Sequence, residues 1–226
     1  MLIWLVLIPL IAAALIGLCK APARPTALLS ASLTLALGIW ALVSFDGCSS
    51  CWSRFEGMDL QLTLAPALSK VMLLLTILVT FATVLGTNPP QGGEASWYNS
   101  ALLISAGATG AFLSDNMISF FAFHELALIP TFVMIGLYGR GDRRTTAWRA
   151  TLYLGLASMV LLAALLMIGT QAGFTFSGLK DFMASGRELA HAELIGALLI
   201  AGFGTLISLF PFHSWAAPAY ASAPAP

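Results

Sequence analysis

Long runs of apolar residues, separated by short polar segments, extend along the whole chain. Each run is long enough, or nearly so, to cross a hydrocarbon layer of about 30 Å as an α-helix. The runs lie near residues 2–19, 27–45, 63–86, 97–113, 117–138, 150–170 and 193–210. Helices are expected because lipid offers no partners for free backbone N–H and C=O groups. The pattern therefore predicts an all-α transmembrane helix bundle of about seven spans.

Two features refine the boundaries of these spans. Ser114, Asp115 and Asn116 favour turns and helix N-caps, so 97–138 is predicted to be two helices in a tight hairpin. The first run has its cations, Lys20 and Arg24, after the apolar stretch rather than before it. A signal peptide has the opposite order, so we expect a retained first span with its N-terminus outside.

The seventh apolar run is interrupted near its end by Pro211, His213 and Trp215. Because proline lacks an N–H, the carbonyl of Ile207 loses its helical partner. One interpretation is a broken helix of the kind in which transporters place ion sites. The other is a helix end with an interfacial Trp215. The residues alone leave both open.

Composition and charge narrow the class of protein. Hydrophobic residues make up 59% of the 226 residues and charged residues 9%, with a mean hydropathy of +0.91. These values exclude a soluble domain, in which about 25% of residues are charged, and a disordered chain. The formal net charge of zero excludes a nucleic-acid binder.

The distribution of positive charge fits an N-terminus outside the membrane. In that orientation the inside loops carry Lys20, Arg24, Arg140, Arg143, Arg144 and Arg149, and the outside loops carry Arg54, Lys180 and Arg187. The excess of positive charge in the inside loops fits the positive-inside rule.

Glu125 is the most informative charge, because it lies near the middle of the apolar run 117–138. A carboxylate at that depth costs about 3 kcal/mol on insertion scales and usually has a functional or pairing role. We predict a role in a proton path; the alternative is a structural carboxyl bound to another helix. Adjacent His124 points about 100° away and is equally consistent with packing or a proton relay. Lys70, a third of the way into the third span, either snorkels to the interface or pairs with Glu125.

No soluble-enzyme motif is found: G-x-G-x-x-G, G-x-x-x-x-G-K-[ST] and H-E-x-x-H are all absent from the sequence. Cys48 and Cys51 form one C-x-x-C pair without a second pair or a nearby histidine. A disulfide and two free thiols both remain open, and a redox role is the weaker alternative.

Three segments resemble the antiporter-like subunits of respiratory complex I. Residues Phe120–Pro130 resemble that family's F-F-x-F-x-E-x-x-L-I/V-P stretch, and Arg149–Ser158 is similar to its K-F-x-x-Y-x-x-x-S stretch. Phe203–Pro226 resembles its F-A-x-K-x-P-x-x-P-x-H-x-W-L-P-x-A-H-x-x-A-P segment. The likeness extends over nearly the whole chain from the third span onward.

The resemblance implies a membrane-arm subunit of a proton-translocating NADH–quinone oxidoreductase in a bacterial inner membrane. It implies no cofactor in this chain; NADH, flavin, iron–sulfur clusters and quinone are expected in other subunits. The implied partners are other membrane-arm subunits, the lipid bilayer and protons. Glu125 matches the family's buried glutamate and His213 its broken-helix histidine. The family's lysine aligns with Leu206, so Lys70 is the candidate substitute.

The same resemblance implies a domain organisation. Residues 1–96 would form three N-terminal spans, and 97–226 an incomplete first half-channel unit of four spans. Family members have about fourteen spans in two inverted halves, so we expect a truncated product. Two alternatives stay open: a subunit of a cation/proton antiporter or membrane-bound hydrogenase, and a non-pumping structural paralogue.

Overall fold

Helices dominate the computed structural model, which describes residues 1–44, 49–55, 58–64, 67–90 and 92–224. The helices are α1 (Trp4–Gly17), α2 (Ala23–Ser44), α3 (Ala67–Gly86), α4 (Glu94–Leu113), α5 (Met117–Tyr138), α6 (Arg143–Ala172), α7 (Phe176–Ala184), α8 (Ala192–Leu206) and α9 (Ala216–Ser222). Between α2 and α3 lie two antiparallel strands, β1 (Ser49–Phe55) and β2 (Met58–Thr63). The predicted helical membrane fold is confirmed.

Length and composition qualify four of the described helices as membrane spans, namely α2, α3, α5 and α6. The apolar helices α1 and α8 are shorter, with 14 and 15 residues. The total of about seven spans and the outside location of the N-terminus therefore stay predictions. The interruption of the last span is confirmed, since α8 ends at Leu206 and the helix resumes only at Ala216.

The α4–α5 hairpin is confirmed, and polar side chains form its turn. The hydroxyl of Ser114 donates to the Gly110 carbonyl at 2.7 Å. The Oδ1 atom of Asn116, a fully buried residue, accepts from Ile118 N at 2.9 Å and Ser119 N at 3.1 Å. Two of the four N–H groups that lack a partner at the start of a helix are thus bound.

The hydropathy pattern does not predict the β1–β2 hairpin. Its register runs from Ser49 opposite Thr63 to Phe55 opposite Met58. Because β2 extends to Thr63, α3 begins at Ala67 rather than near residue 63. The hairpin contacts the α4–α5 turn, where Asp115 N donates to Gln61 O at 3.0 Å. The alternatives for Cys48 and Cys51 concern side chains outside the described part of the chain.

Packing divides the chain into two units, Met1–Thr131 and Phe132–Ala225. The predicted boundary at residue 96 stays a prediction. In the first unit, the buried core joins α1, α2, α3 and α4 with β2 and the residue that follows it. Its members are Leu2, Leu5, Val6, Ala41, Leu62, Leu64, Leu73, Ile77, Ala106 and Leu113.

In the second unit, α6 packs closely against α8. A Cβ atom on Gly202 would lie 2.9 Å from the Cβ of Leu161 and 3.1 Å from its backbone N, so only glycine permits this approach. The short helix α7, which the hydropathy pattern does not predict, is capped by Thr175 Oγ1, which accepts from Gly178 N at 3.0 Å.

Candidate functional site

The side chain of Glu125 is half-buried near the middle of α5. Its exposed fraction is 28%, and its Oε1 atom is buried without a hydrogen-bond partner among the described residues. An unpartnered carboxyl oxygen in an apolar helix is energetically costly. No hydrogen bond from Oε1 to another helix is found in this part of the chain.

His124 contacts Glu125 directly, which corrects the expectation that the two side chains point apart. Nδ1 of His124 lies 3.5 Å from Oε1 of Glu125. Adjacent Cα atoms are only about 3.8 Å apart, so two long side chains can rotate towards each other although their Cβ atoms diverge. The imidazole also stacks on Phe120, one turn earlier, with a centroid distance of 6.1 Å. The imidazole of His124 and the carboxyl group of Glu125 therefore lie side by side as a pair.

Two glycines of α4 hold the Glu125 segment of α5 at close range. A Cβ atom on Gly107 would lie 2.6 Å from Ala127 N and 2.7 Å from Phe123 O. These two residues lie two positions after and two positions before Glu125. A Cβ atom on Gly110 would overlap the ring of Phe123. The small residues of α4 thus allow direct contact with the α5 backbone, as in other closely packed membrane helices.

Helix α5 continues through Pro130 without ending. One residue beyond the proline, the Thr131 hydroxyl donates to the carbonyl of Ala127 at 2.9 Å. Side-chain hydroxyls are a usual partner for backbone groups near prolines in membrane helices.

Lys70 lies in the first turn of α3 and is half-buried. In the antiparallel α3–α4 pair, Thr80 Oγ1 donates to Ser105 Oγ at 3.0 Å, and Lys70 is ten residues before Thr80, or about 15 Å along the axis. Glu125 is level with Gly107, so about 12 Å along the axis separates it from Lys70. This position favours the interface, and pairing of Lys70 with Glu125 stays a prediction.

The break after α8 is closed by specific hydrogen bonds. The indole N–H of Trp215 donates to the carbonyl of Thr205 at 3.0 Å, and Trp215 is only 7% exposed. The hydroxyl of Ser214 contacts that of Tyr153 in α6 at 3.0 Å. Ser208 has a positive φ of 61°, and its buried Oγ has no partner within the described ranges.

These contacts give the depth of the break. Tyr153 is ten residues into α6, and Leu161, which faces Gly202, is eighteen residues in. Because the apolar part of α6 begins at Ala150, these two residues lie about 5 and 17 Å into that part. The burial of Trp215 and the helix that resumes at Ala216 favour a broken helix over a helix end with an interfacial tryptophan.

His213 lies in this break and is exposed, with its ring 5.6 Å from that of Phe210. Leu206, where the resemblance has a lysine, is the last residue of α8. Glu125 belongs to the first unit, whereas His213 and Leu206 belong to the second.

The residues that sequence reasoning missed are the supporting ones: Tyr153, Thr205, Ser214 and the glycine contacts of α4. Of these, only the glycine contacts have a signal in the sequence, which is a cluster of small residues in α4: Ser105, Ala106, Gly107, Ala108, Gly110 and Ala111. No group of three or more His, Cys, Asp or Glu side chains suited to a metal is found within the described residues. The absence of a cofactor stays a prediction.

A protein family described as NADH:quinone oxidoreductase/Mrp antiporter, TM, matches residues 114–226, half of the chain. The chain belongs to this family. The range that matches the NADH:quinone oxidoreductase/Mrp antiporter family contains Glu125, Leu206 and His213, whereas Lys70 lies outside it.

Relatives with known names agree with this membership. F(420)H(2) dehydrogenase subunit M of Methanosarcina mazei is 24% identical over 97% of this chain and 48% of its own length. An NAD(P)H-quinone oxidoreductase chain 4 of Microcystis aeruginosa is 30% identical over 70% of this chain and 29% of its own. The chain thus spans half or less of the length of these relatives.

Solved structures show the same fold. A chain of the archaeal membrane-bound sulfane sulfur reductase has a TM-score of 0.87 at 20% identity, covering 99% of this chain and 48% of its own. A chain of Thermus thermophilus respiratory complex I has a TM-score of 0.84 at 24% identity, covering 99% and 47%. A chain of the Mrp complex from Dietzia has a TM-score of 0.79 at 22% identity, covering 97% and 43%.

Proposed function

We propose that this chain acts as the antiporter-like subunit M of a respiratory membrane complex and contributes to proton translocation coupled to electron transfer from NADH to quinone. The observation that carries the proposal is the buried Oε1 of Glu125, which accepts no hydrogen bond from the described residues and lies in the middle of an apolar helix, within the range that matches the family. Intramembrane ionisable groups most often mark ion pathways.

The chemistry of the proposal rests on the pair of Glu125 and His124. At 3.5 Å, a small rotation brings the carboxyl and imidazole into hydrogen-bond range. Both side-chain types exchange protons with water and with each other. In this scheme Glu125 accepts a proton from one side of the membrane and passes it on, with His124 as its relay.

We propose His213 as a further proton-transfer group, because it lies exposed in a helix break, where transporters keep polar groups accessible to ions. Lys70 is the proposed electrostatic partner of Glu125. Redox cofactors, namely flavin, iron–sulfur clusters and quinone, are assigned to other subunits of the complex, in a bacterial inner membrane.

The test is proton uptake by vesicles that contain the assembled complex with this chain, either native or with Glu125→Gln. Glutamine keeps the shape of the side chain and an acceptor oxygen but cannot carry a proton. We expect pumping to fall strongly while assembly is retained. The matched control is Glu188→Gln, an exposed glutamate between α7 and α8. Unchanged pumping in Glu125→Gln would leave a non-pumping structural subunit as the better description.

A second candidate function is cation/proton exchange, because the family's own description includes the Mrp antiporter. An experiment in the same vesicles distinguishes cation/proton exchange from proton translocation coupled to electron transfer. Exchange predicts that an imposed sodium gradient moves protons without any electron donor. Proton translocation coupled to electron transfer predicts that protons move only when NADH and quinone are supplied.

A further inference from the structure

The first unit contains a polar cavity that the proton path does not use. It has a volume of about 660 Å³ and lies between the end of α1, the loop after it and the start of α4. Its polar lining residues are Lys20, Glu94, Ser96 and Asn99. The first and fourth predicted spans correspond to α1 and α4, which end and begin here, so those spans would place the cavity at the depth of the lipid headgroups.

Asn99 forms part of the cavity wall. Its amide is held against α1, since a Cβ atom on Gly17 would lie 3.2 Å from Nδ2. The Oδ1 atom is buried and has no partner among the described residues, so it is out of reach of a molecule in the cavity. The charged groups that a ligand can reach are therefore those of Lys20 and Glu94.

Lys20 and Glu94 bring opposite charges to the same cavity. Both side chains are exposed, and the described residues contain no ion pair between them. The position of Lys20 is set by the end of α1, where Ala21 N donates to Leu15 O at 3.1 Å. Lys20 has a φ of 53° there, the left-handed conformation that usually favours glycine at this point of a helix end.

We propose that this cavity binds the headgroup of a phospholipid that carries a primary amine, as phosphatidylethanolamine does. The phosphate would lie at Lys20, and the ammonium group at Glu94. A primary ammonium has three N–H donors, which suits the two oxygens of a carboxylate. A trimethylammonium group has none and could not hydrogen-bond to Glu94.

An apolar groove next to the cavity suits an acyl chain of the same lipid. It lies between α1 and α2, has a volume of about 450 Å³, and is lined by residues that include Ile11, Leu15, Pro22, Pro25 and Leu29. Pro22 stands between Ala21 and Ala23, both of which line the polar cavity. Headgroup and chain sites therefore adjoin at one loop. The proposal is independent of the proton path.

The test is native mass spectrometry of the full-length chain, purified with phosphatidylethanolamine, phosphatidylcholine or phosphatidylglycerol of identical acyl chains. We expect retention of phosphatidylethanolamine about tenfold above phosphatidylcholine, the ratio that corresponds to a lost hydrogen bond to a charged group. Glu94→Gln should reduce this preference. Lys20→Gly should reduce retention of both lipids without lowering Tm, because glycine accepts the left-handed conformation.

Matched controls are Glu188→Gln and Lys180→Met, which remove exposed charges in the second unit. They should retain lipid like the unmodified chain. Equal retention of phosphatidylethanolamine and phosphatidylcholine would overturn the proposal, as would Lys20→Gly and Glu94→Gln variants that behave like the controls. Preference for phosphatidylglycerol would also overturn it, since that result requires a simple anion site. If soluble phosphoethanolamine displaces the lipid at a similar concentration, the acyl chain does not contribute to binding. That result would overturn the assignment of the apolar groove to the same site.

Discussion

Replacing Gly107 with alanine should force α4 away from the part of α5 that carries Glu125. The added methyl group would lie 2.6 Å from Ala127 N, 2.7 Å from Phe123 O and 2.9 Å from Ala127 Cβ, whereas ordinary contacts begin at 3.4 Å. The helices must therefore separate by about 0.8 Å, the difference between 3.4 and 2.6 Å. Two of the three atoms are backbone, so no side-chain rotation can relieve the overlap.

Overpacking of this kind costs about 1–3 kcal/mol, and alanine's better helix propensity offsets up to about 1 kcal/mol of it. For a chain of this size, each 1 kcal/mol corresponds to about 2–4 °C in Tm. Thermal unfolding in detergent, followed by tryptophan fluorescence, measures the change. The matched control is Gly155→Ala in the middle of α6, where a new Cβ meets nothing within 4 Å. That variant should keep or raise Tm.

A Gly107→Ala variant with the same Tm as Gly155→Ala would refute the close contact between α4 and α5. If the contact is real, proton pumping should also fall in Gly107→Ala, since Glu125 moves with the α5 backbone. Intact pumping together with a lowered Tm would limit the role of Gly107 to packing.

Two further predictions concern the helix ends. Trp215→Phe should lower the free energy of unfolding by about 1–3 kcal/mol in a denaturant titration, because the buried Thr205 carbonyl loses a donor; the control Trp148→Phe, at a position 61% exposed, should change little. Asn116→Ala should cost about 1–2 kcal/mol, because the side chain caps two N–H groups of α5. Asp142→Ala should cost less, since Asp142 is exposed and accepts one bond at 3.3 Å; equal losses would contradict the capping explanation.

Much of the helical fold could be predicted because lipid imposes a length and a composition on each span. The run predicted at 117–138 coincides with α5, and that at 97–113 falls within α4. The β1–β2 hairpin and α7 were missed because neither is a long apolar run. The hairpin also changed the interpretation of Lys70, whose helix begins later than the apolar run suggested.

Residues of the candidate site could be predicted only where their polarity or backbone preference differs from that of the neighbouring sequence. Glu125 interrupts an apolar run, and Pro211 interrupts a helix, so both are visible in the sequence. The contact of His124 with Glu125 depends on side-chain rotation, and the bond from Trp215 to Thr205 depends on how the chain turns back after α8. Such tertiary contacts leave no periodic pattern.

Helix α6 couples the hydrophobic thickness of the bilayer to the geometry of the broken helix. Its 30 residues extend about 45 Å, but Trp148 and Arg149 suit the headgroup region, and the apolar part, Ala150–Ala172, extends about 34 Å. A hydrocarbon layer of about 30 Å accommodates that length with a tilt of about 30°. Because Tyr153 and Leu161 contact the segment around the break, any change in tilt is transmitted there. Lipids with shorter acyl chains should therefore alter the geometry of the break without contacting it.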